Sequence, residues 1–456
     1  MLKKSLALFL LGVFILSSGF GCKSGDSQTQ EALKPIVLNY WRVFDGPDTF
    51  SEVIKKYNAL HPNITINYRK LRYEEYENEL LNALAEDRGP DIFSIHNTWM
   101  KKYESKLAPL PKTTTLAYQI TQGTIKKEVV QKLQTTNSLT PKELRDNFVD
   151  VVGADVILDD GQIYGLPLSV DTLAMYYNKD LFNQAGISDI PAYWNNDFVQ
   201  AVKKMTMQNA QKEIVQSGAA LGGGKNVNRA SDILSVLMMQ SGATIMNERG
   251  QVLFNVSNNN SSYFPGLDAL RFYADFSDPA KESYSWNDSL PSSLEMFMNG
   301  TLAIMFSYSY DLAAIKAQAP KLNFSISKLP QIEGNPPTNI NFANYWIEVV
   351  SKKSAHVNEA WDFLQFITKV ENVQSYLEKS KKPTALRSLI AEQKKDGEIG
   401  VFVDQVLTAK SWYRGKNSLA AEEAMIEMIS LTNSSGIDKL KEVAGMGAAK
   451  IQQTVY

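Results

Sequence analysis

The chain has a single cysteine, Cys22, so no intramolecular disulfide can form. Its three histidines, His61, His96 and His356, are scattered, and with one cysteine near the N-terminus they make no zinc-ligand set. An excess of charge of either sign is lacking: 47 basic residues stand against 49 acidic ones, a net of −2. No global field therefore favours nucleic acid or an anionic membrane, and a neutral or polar small partner suits the chain better. A phosphate-binding loop is missing as well. Gly222-Gly223-Gly224-Lys225 has Ala219 where the motif needs Gly, and Asn226 where a Ser or Thr would hold magnesium. Asp155, Asp159 and Asp160 lack calcium-loop spacing and read as a solvated hairpin. Tyr176 and Tyr177 are adjacent on a strand and face opposite sides, so they cannot grip a metal together. No motif singles out the carboxylate pair that glycoside hydrolysis needs. No metal and no cofactor is implied.

What is present is material for a large fold. The 456 residues exceed one ordinary core and suggest two or three folding units. Apolar residues make up 44% and charged residues 21%, enough to bury sizeable cores. Lys3 and Lys4 precede an apolar run, Leu6 to Leu16, of about 11 residues, against roughly 20 for a membrane span. Small residues follow, then Cys22. This is the layout of a secretory signal peptide. A cysteine just past the cleavage region resembles a bacterial lipoprotein signal, although Gly19 stands where Leu, Val or Ile is usual. Residues 1–21 are then a signal peptide, Cys22 takes the lipid, and the polar stretch 22–35 is a flexible tether to the membrane. Ordinary cleavage leaving a free thiol is the alternative.

Patterning beyond the tether alternates strand and helix. IVLNYW suits a buried strand, and Phe50, Val53, Ile54 and Tyr57 recur at helical spacing up to His61-Pro62. Ile64, Ile66 and Tyr68 alternate, a helix runs through Tyr76, Leu80 and Leu84, and DIFSI is a strand. This order predicts a parallel α/β sheet. Thr140-Pro141-Lys142-Glu143 has capping-box spacing with Pro at the first helical position.

Several segments taken in order resemble the extracellular solute-binding family that includes maltose-binding protein. They are RGPDIFSIHNTW (88–99), DDGQIYGLPLSVDTLAMYYNKDLFNQAGI (159–187), NVNRASDILSVLMMQSGA (226–243), WNDSLPSSLEMFMNGTLAIMFSYSYDL (286–312) and NYWIEVVSKKS with the helix that follows it. The resemblance implies a periplasmic-binding-protein-like α/β fold, two lobes joined by hinge strands. Lobe one is expected at 36–168 plus 322–352 and lobe two at 169–321 plus 353–456, with crossings near Ser169–Thr172, Tyr310–Asn323 and Ser351–Ser354. It also implies a monomer that traps a carbohydrate in the interlobe cleft, does no covalent chemistry, and delivers the sugar to an ABC-transporter permease. A secreted carbohydrate-active enzyme and a receptor for another polar solute, such as a peptide, remain as alternatives.

Open α/β sheets bind ligands beyond the carboxyl ends of their strands. The ligand-binding candidates are therefore Trp41 and Asp45, Asn97 and Trp99, Trp286 and Asn287, Tyr308 with Tyr310, Tyr345 and Trp346, and Trp412 and Arg414 in SWYRG. The resemblance adds Asp171 as a hinge-side acidic ligand. Flat aromatics pack on the C–H face of a pyranose, and Asp, Asn and Arg satisfy its hydroxyl rim. Trp41 and Trp286 are expected to stack on ligand from opposite lobes. Core packing is the competing reading for each Trp, and it is preferred for Trp194 and Trp361.

Overall fold

The computed structural model describes residues 32–124, 127–257, 262–334 and 338–456. The expected signal peptide, Cys22 and most of the tether lie outside these residues. The strands, in chain order, are β1 (Ile36–Val43), β2 (Ile64–Leu71), β3 (Ile92–His96), β4 (Thr113–Gln122), β5 (Glu128–Asn137), β6 (Asp171–Thr172) and β7 (Ala174–Asn178). They continue as β8 (Met207–Gln208), β9 (Ile214–Gln216), β10 (Ile304–Ser307), β11 (Phe324–Ser327), β12 (Asn341–Asn344), β13 (Trp346–Val350) and β14 (Ala409–Lys410).

Lobe one is built on a sheet of order β13-β3-β1-β2. β1 runs parallel to β2, from Ile36 opposite Ile64 to Val43 opposite Leu71, and parallel to β3; β13 closes the edge antiparallel to β3. Helix Pro47–Leu60 has Pro at its start, where a missing N–H costs nothing, and buries Phe50, Val53 and Tyr57. Helix Tyr73–Ala85 buries Tyr76, Leu80, Ala83 and Leu84, a stripe at three- and four-residue spacing. The Thr140 capping box forms: Thr140 accepts from the Glu143 N–H while the Glu143 carboxylate accepts from the Thr140 N–H. A long ribbon, β4 with β5, packs through β4 on helices Pro47–Leu60 and Val357–Ile367.

Lobe two has a sheet of order β10-β7-β11, all antiparallel. Beside it, helix Ala230–Gln240 is buried all round except at Met239, because helices Pro265–Ala274 and Ser418–Ser435 enclose it. A third sheet, β14-β12-β6, joins the lobes. The chain thus passes between lobes at Asp171–Thr172, at Asn341–Asn344 and at Ala409–Lys410.

Two of the expected boundaries need correction. β11, placed in lobe one from sequence, pairs with β7 in lobe two, where Phe324 stacks on Tyr176 and meets Phe297 edge-on. Residues 310–323 are therefore no crossing. Helices Val357–Ile367 and Val370–Ser380, placed in lobe two, pack on β13 and on helix Pro47–Leu60 of lobe one, and the Trp361 indole donates to the Ala108 carbonyl. Residues 351–354 are therefore a turn within lobe one. The pattern of a short strand or amphipathic helix states its type, not its partner sheet. Among the described residues no helix is long and apolar enough to cross a membrane.

Candidate ligand-binding cleft

The lobe-one face of the seam is aromatic. β1 and β3 end on the same sheet edge at which antiparallel β13 begins, so Phe44, His96, Trp99 and Trp346 converge there. The Trp346 ring lies 5.7 Å from Phe44, 5.8 Å from His96, 5.4 Å from Trp99 and 6.3 Å from Tyr73. Phe44 and Tyr73 stack at 5.6 Å with roughly half their surface exposed. Phe44 holds φ at 64°, a left-handed conformation that costs a bulky residue energy and that turns it out of β1. His96 is fixed as a neutral tautomer. Its Nε2–H donates to Asn344 Oδ1 at 2.9 Å, while Nδ1 faces the Thr98 hydroxyl and N–H. Burial holds the imidazole below its usual range despite the Asn344 bond, and the Arg229 cation pushes the same way.

The lobe-two face is polar. Arg229 also adopts a left-handed φ of 60°, at the start of helix Ala230–Gln240. Its Nε and Nη2 both donate to Asp232 Oδ2, at 2.8 and 2.5 Å, and its guanidinium lies 5.5 Å from the Tyr308 ring. The Tyr308 hydroxyl donates to the same Asp232 oxygen at 2.6 Å. Tyr310 stacks on Tyr308 and is half exposed. Asp171 sits in β6, where Asn344 of β12 is its strand partner; its Oδ2 accepts from the Ser309 N–H and hydroxyl at 3.0 and 2.7 Å. Burial outweighs those bonds and pushes the Asp171 carboxyl up to about 7. Glu422, on helix Ser418–Ser435, and Asp311 are also raised by burial. The faces meet. Burial raises the Tyr73 hydroxyl of lobe one, and Glu422 and Arg229 of lobe two act on it in opposite senses.

Trp99, Trp346, Asp171 and Tyr310 thus gather at the seam. Trp412, also a candidate, is partly exposed and donates to Ser235 Oγ on helix Ala230–Gln240 at 3.0 Å. Arg414 reaches Asp155 Oδ1 at 2.5 Å.

Other candidates are placed elsewhere. Trp286 has no exposed surface. Its indole donates to Asn226 Oδ1 and its ring lies against Gly223, where an added Cβ would come within 2.6 Å. It is a core residue and offers no face to a ligand. Its neighbour Asn287 is held to Tyr284 and Ser289. Trp41 lies under the Arg69 guanidinium at 4.8 Å, on the side where Arg69 pairs with Glu79, and does not join the Trp346 group. The expected Trp41–Trp286 sandwich is therefore absent. Asp45 is buried and bound by Arg42, Lys382 and the Tyr376 hydroxyl; the two cations hold its carboxyl below the usual range although burial alone would raise it. Tyr308, Tyr345 and Asn97 are buried too. The last two donate to Asp155, at 2.6 and 3.2 Å. Asp155, read from sequence as part of a solvated hairpin, is instead a buried hub. Phe44, Tyr73, His96, Arg229, Asp232 and Glu422 were not foreseen. Phe44 immediately precedes Asp45, so the end-of-strand rule pointed one residue too far.

Two α/β lobes on a three-stranded hinge, facing each other across an aromatic and polar seam, define a clamp that encloses a solute. The model of the bacterial extracellular solute-binding protein family matches residues 45–374, and the chain belongs to that family, an exported class of binding proteins. An ABC-transporter extracellular-binding protein of Pyrococcus horikoshii is 22% identical over 384 residues, covering 81% of this chain and 77% of that one. The fold is similar to the cyclic α-maltosyl-1,6-maltose-binding protein of Arthrobacter globiformis, at TM-score 0.72 and 17% identity over 92% of this chain and 100% of the other. It is also similar to the sugar-binding protein MalE of Xanthomonas citri, at TM-score 0.67 and 17% identity over 91% and 98%.

Proposed function

We propose that this chain is the extracytoplasmic solute-binding subunit of an ABC importer, that it captures a carbohydrate in the seam, and that it passes the sugar unchanged to a permease. The observation that carries this reading is the aromatic wall around Trp346, which His96 joins through Asn344 to Asp171 at the hinge, with Arg229 and Glu422 close enough to act on the Tyr73 hydroxyl. A pyranose has an apolar C–H face and a hydroxyl rim. Rings serve the first, at roughly 0.5–1.5 kcal/mol each beyond area burial by analogy with aromatic pairs. Carboxylates and a guanidinium serve the second, where a buried unpaired hydroxyl would cost about 1–3 kcal/mol. The cyclic maltosyl-maltose named for one of the two similar structures, and the sugar binding named for the other, support the same class. Ligand held by both lobes favours the closed form, and only such differential affinity drives closure.

Trp99, Trp346, Asp171, Tyr310, Trp412 and Arg414 are the residues we assign to ligand from the original candidates, joined by Phe44, Tyr73, Arg229 and Glu422. A panel of oligosaccharides tests the reading. A binder raises the melting temperature and is recovered intact; recovery of shorter products would make the protein an enzyme, and no shift with any sugar would remove the carbohydrate. The lipid at Cys22 is part of the proposal, resting on Lys3-Lys4, the short apolar run and the cysteine. Cys22→Ser should move the protein from the membrane fraction to the soluble one, and a wild type that is already soluble refutes the anchor.

A further inference from the structure

His96 stands where the aromatic wall meets the hinge. It ends β3 and lies directly opposite Trp346 in the β3–β13 pairing, its ring 5.8 Å from that indole and 6.4 Å from Trp99. Its Nε2 meets Asn344 Oδ1, which can only accept, so Nε2 carries the proton and Nδ1 is left as an acceptor. Nδ1 accepts from the Thr98 N–H at 3.4 Å and faces the Thr98 hydroxyl at 2.8 Å. The imidazole thereby caps the short 3-10 turn Asn97–Trp99, which carries Trp99 to the wall. Through its other nitrogen it holds the last residue of β12, where Asn344 lies opposite Asp171 of β6. Asp171 in turn accepts from the Ser309 N–H and hydroxyl in lobe two. One side chain touches both indoles and a strand that joins the lobes.

We propose that His96 is a positioning residue for the seam: its neutral imidazole sets Trp99 and Trp346 in register with the hinge, and a proton on Nδ1 releases Trp99, so that saccharide affinity falls in acid. This rests on the carbohydrate reading and adds to it a residue that acts through the wall rather than on the sugar. The chemistry is one of donors and acceptors. A protonated Nδ1 becomes a donor. The Thr98 hydroxyl can reverse to accept from it, but the Thr98 N–H then faces a second N–H and the turn loses its cap. The Asn344 bond survives, because Nε2 donates in either state. The surroundings decide where this happens. Burial holds the imidazole below its ordinary 6.5 and the Arg229 cation acts in the same sense, while the Asn344 bond and the Asp232 and Asp155 carboxylates favour the proton. Burial outweighs them, so His96 is neutral at pH 7 and the cap is intact there. Lys102 Nζ lies 5.8 Å over the Trp99 ring and is paired with Glu77 at 2.6 Å. Asp171, pushed up to about 7, titrates nearby, so variants at His96 itself must separate the two.

The test has two arms, both on the full chain. The first needs no sugar: tryptophan emission of the unliganded protein is followed between about pH 4 and 8, across the ordinary histidine range. An imidazolium beside two indoles quenches them. Emission should therefore fall on the acid side in wild type, by less in Trp99→Phe, and not in His96→Asn. The second arm is isothermal titration with maltotetraose and mannobiose over the same range. Wild-type affinity should be level near neutrality and fall in acid by up to about 10-fold per pH unit, as the binding-competent fraction shrinks. The variants are those that keep the wild-type far-UV circular dichroism. Near neutral pH His96→Ala, which loses both bonds, should bind about 10-fold or more weakly. His96→Asn keeps an acceptor at the Nδ1 position and His96→Gln a donor at the Nε2 position. Each should recover part of that loss and show a shallower acid fall than wild type. Flat wild-type emission, or Asn and Gln variants with the full wild-type acid fall, overturns the protonation step. His96→Ala that binds like wild type overturns the positioning role. In these cases the carbohydrate reading stands. Emission that titrates as expected while neither saccharide binds at any pH counts against the carbohydrate reading, and the assignment of His96 to a sugar site falls with it.

Discussion

Asp155 gives the sharpest prediction about how the hinge is held. Its side chain is fully buried and accepts from Tyr345 Oη at 2.6 Å, Ser411 Oγ at 2.7 Å, Asn97 Nδ2 at 3.2 Å and Arg414 Nη2 at 2.5 Å. Asn97 and Tyr345 belong to lobe one, whereas Ser411 and Arg414 lie on the segment that leaves β14 for lobe two. Asp155→Ala strips the acceptor from all four donors at once. Removing one partner of a buried ion pair costs about 3–5 kcal/mol. Arg414 keeps 35% of its side-chain surface and can turn to water, which places the loss near the lower end. For folding units of 150–250 residues each kcal/mol is worth roughly 2–4 °C, so the melting temperature should fall by about 6–12 °C. Asp155→Asn, which keeps an acceptor for Tyr345 or Ser411 and removes the charge, should lose about half as much. Arg414→Ala should also lose stability, because it leaves the fully buried Asp155 carboxylate without its cation. Differential scanning fluorimetry of the three variants decides. An Asp155→Ala protein that melts within about 1 °C of wild type would refute the hub.

Trp346→Ala should weaken saccharide binding by about 10-fold or more, a loss near 1.4 kcal/mol, with little change in ligand-free melting; a large drop in stability with unchanged affinity would make the ring structural. Trp286→Ala should behave oppositely, costing about 3–5 kcal/mol of stability through the cavity it leaves, and calorimetry showing a wild-type transition would contradict its core placement. Asp171 supplies a pH signature. Its folded carboxyl titrates near 7 against 3.8 for the free group, so ionisation burdens the folded state as pH rises between those values. Asp171→Asn should therefore gain stability relative to wild type from about pH 4 to pH 8, and a difference that stays flat with pH would refute the shift.

Local order was legible from sequence wherever a single periodicity decided it. The strands at Ile36, Ile64 and DIFSI, the helix through Phe50, Val53 and Tyr57, and the Thr140 capping box each follow from residues close in the chain. Partner choice was not legible. β11 looks like any short apolar strand, and only Tyr176 and Phe297 of lobe two attract Phe324. The same limit governs the tryptophans. Trp286 and Trp346 both flank strands or helix starts beside polar residues, yet Gly223 and Asn226 make a slot that swallows one indole, while β13 presents the other at a sheet edge. Phe44 and Arg229 escaped notice because a left-handed backbone at a non-glycine residue has no sequence signature. Asp155 looked solvated beside Asp159 and Asp160, and it is buried because three chain-distant segments bring it donors.

The clamp itself is most directly tested by small-angle X-ray scattering of the protein with and without a saturating amount of the saccharide that gives the largest thermal shift. A solute gripped from both faces of the seam should close the lobes about β6, β12 and β14, and the radius of gyration should fall on addition. An unchanged radius, with binding established independently on the same sample, would contradict closure and leave a rigid receptor.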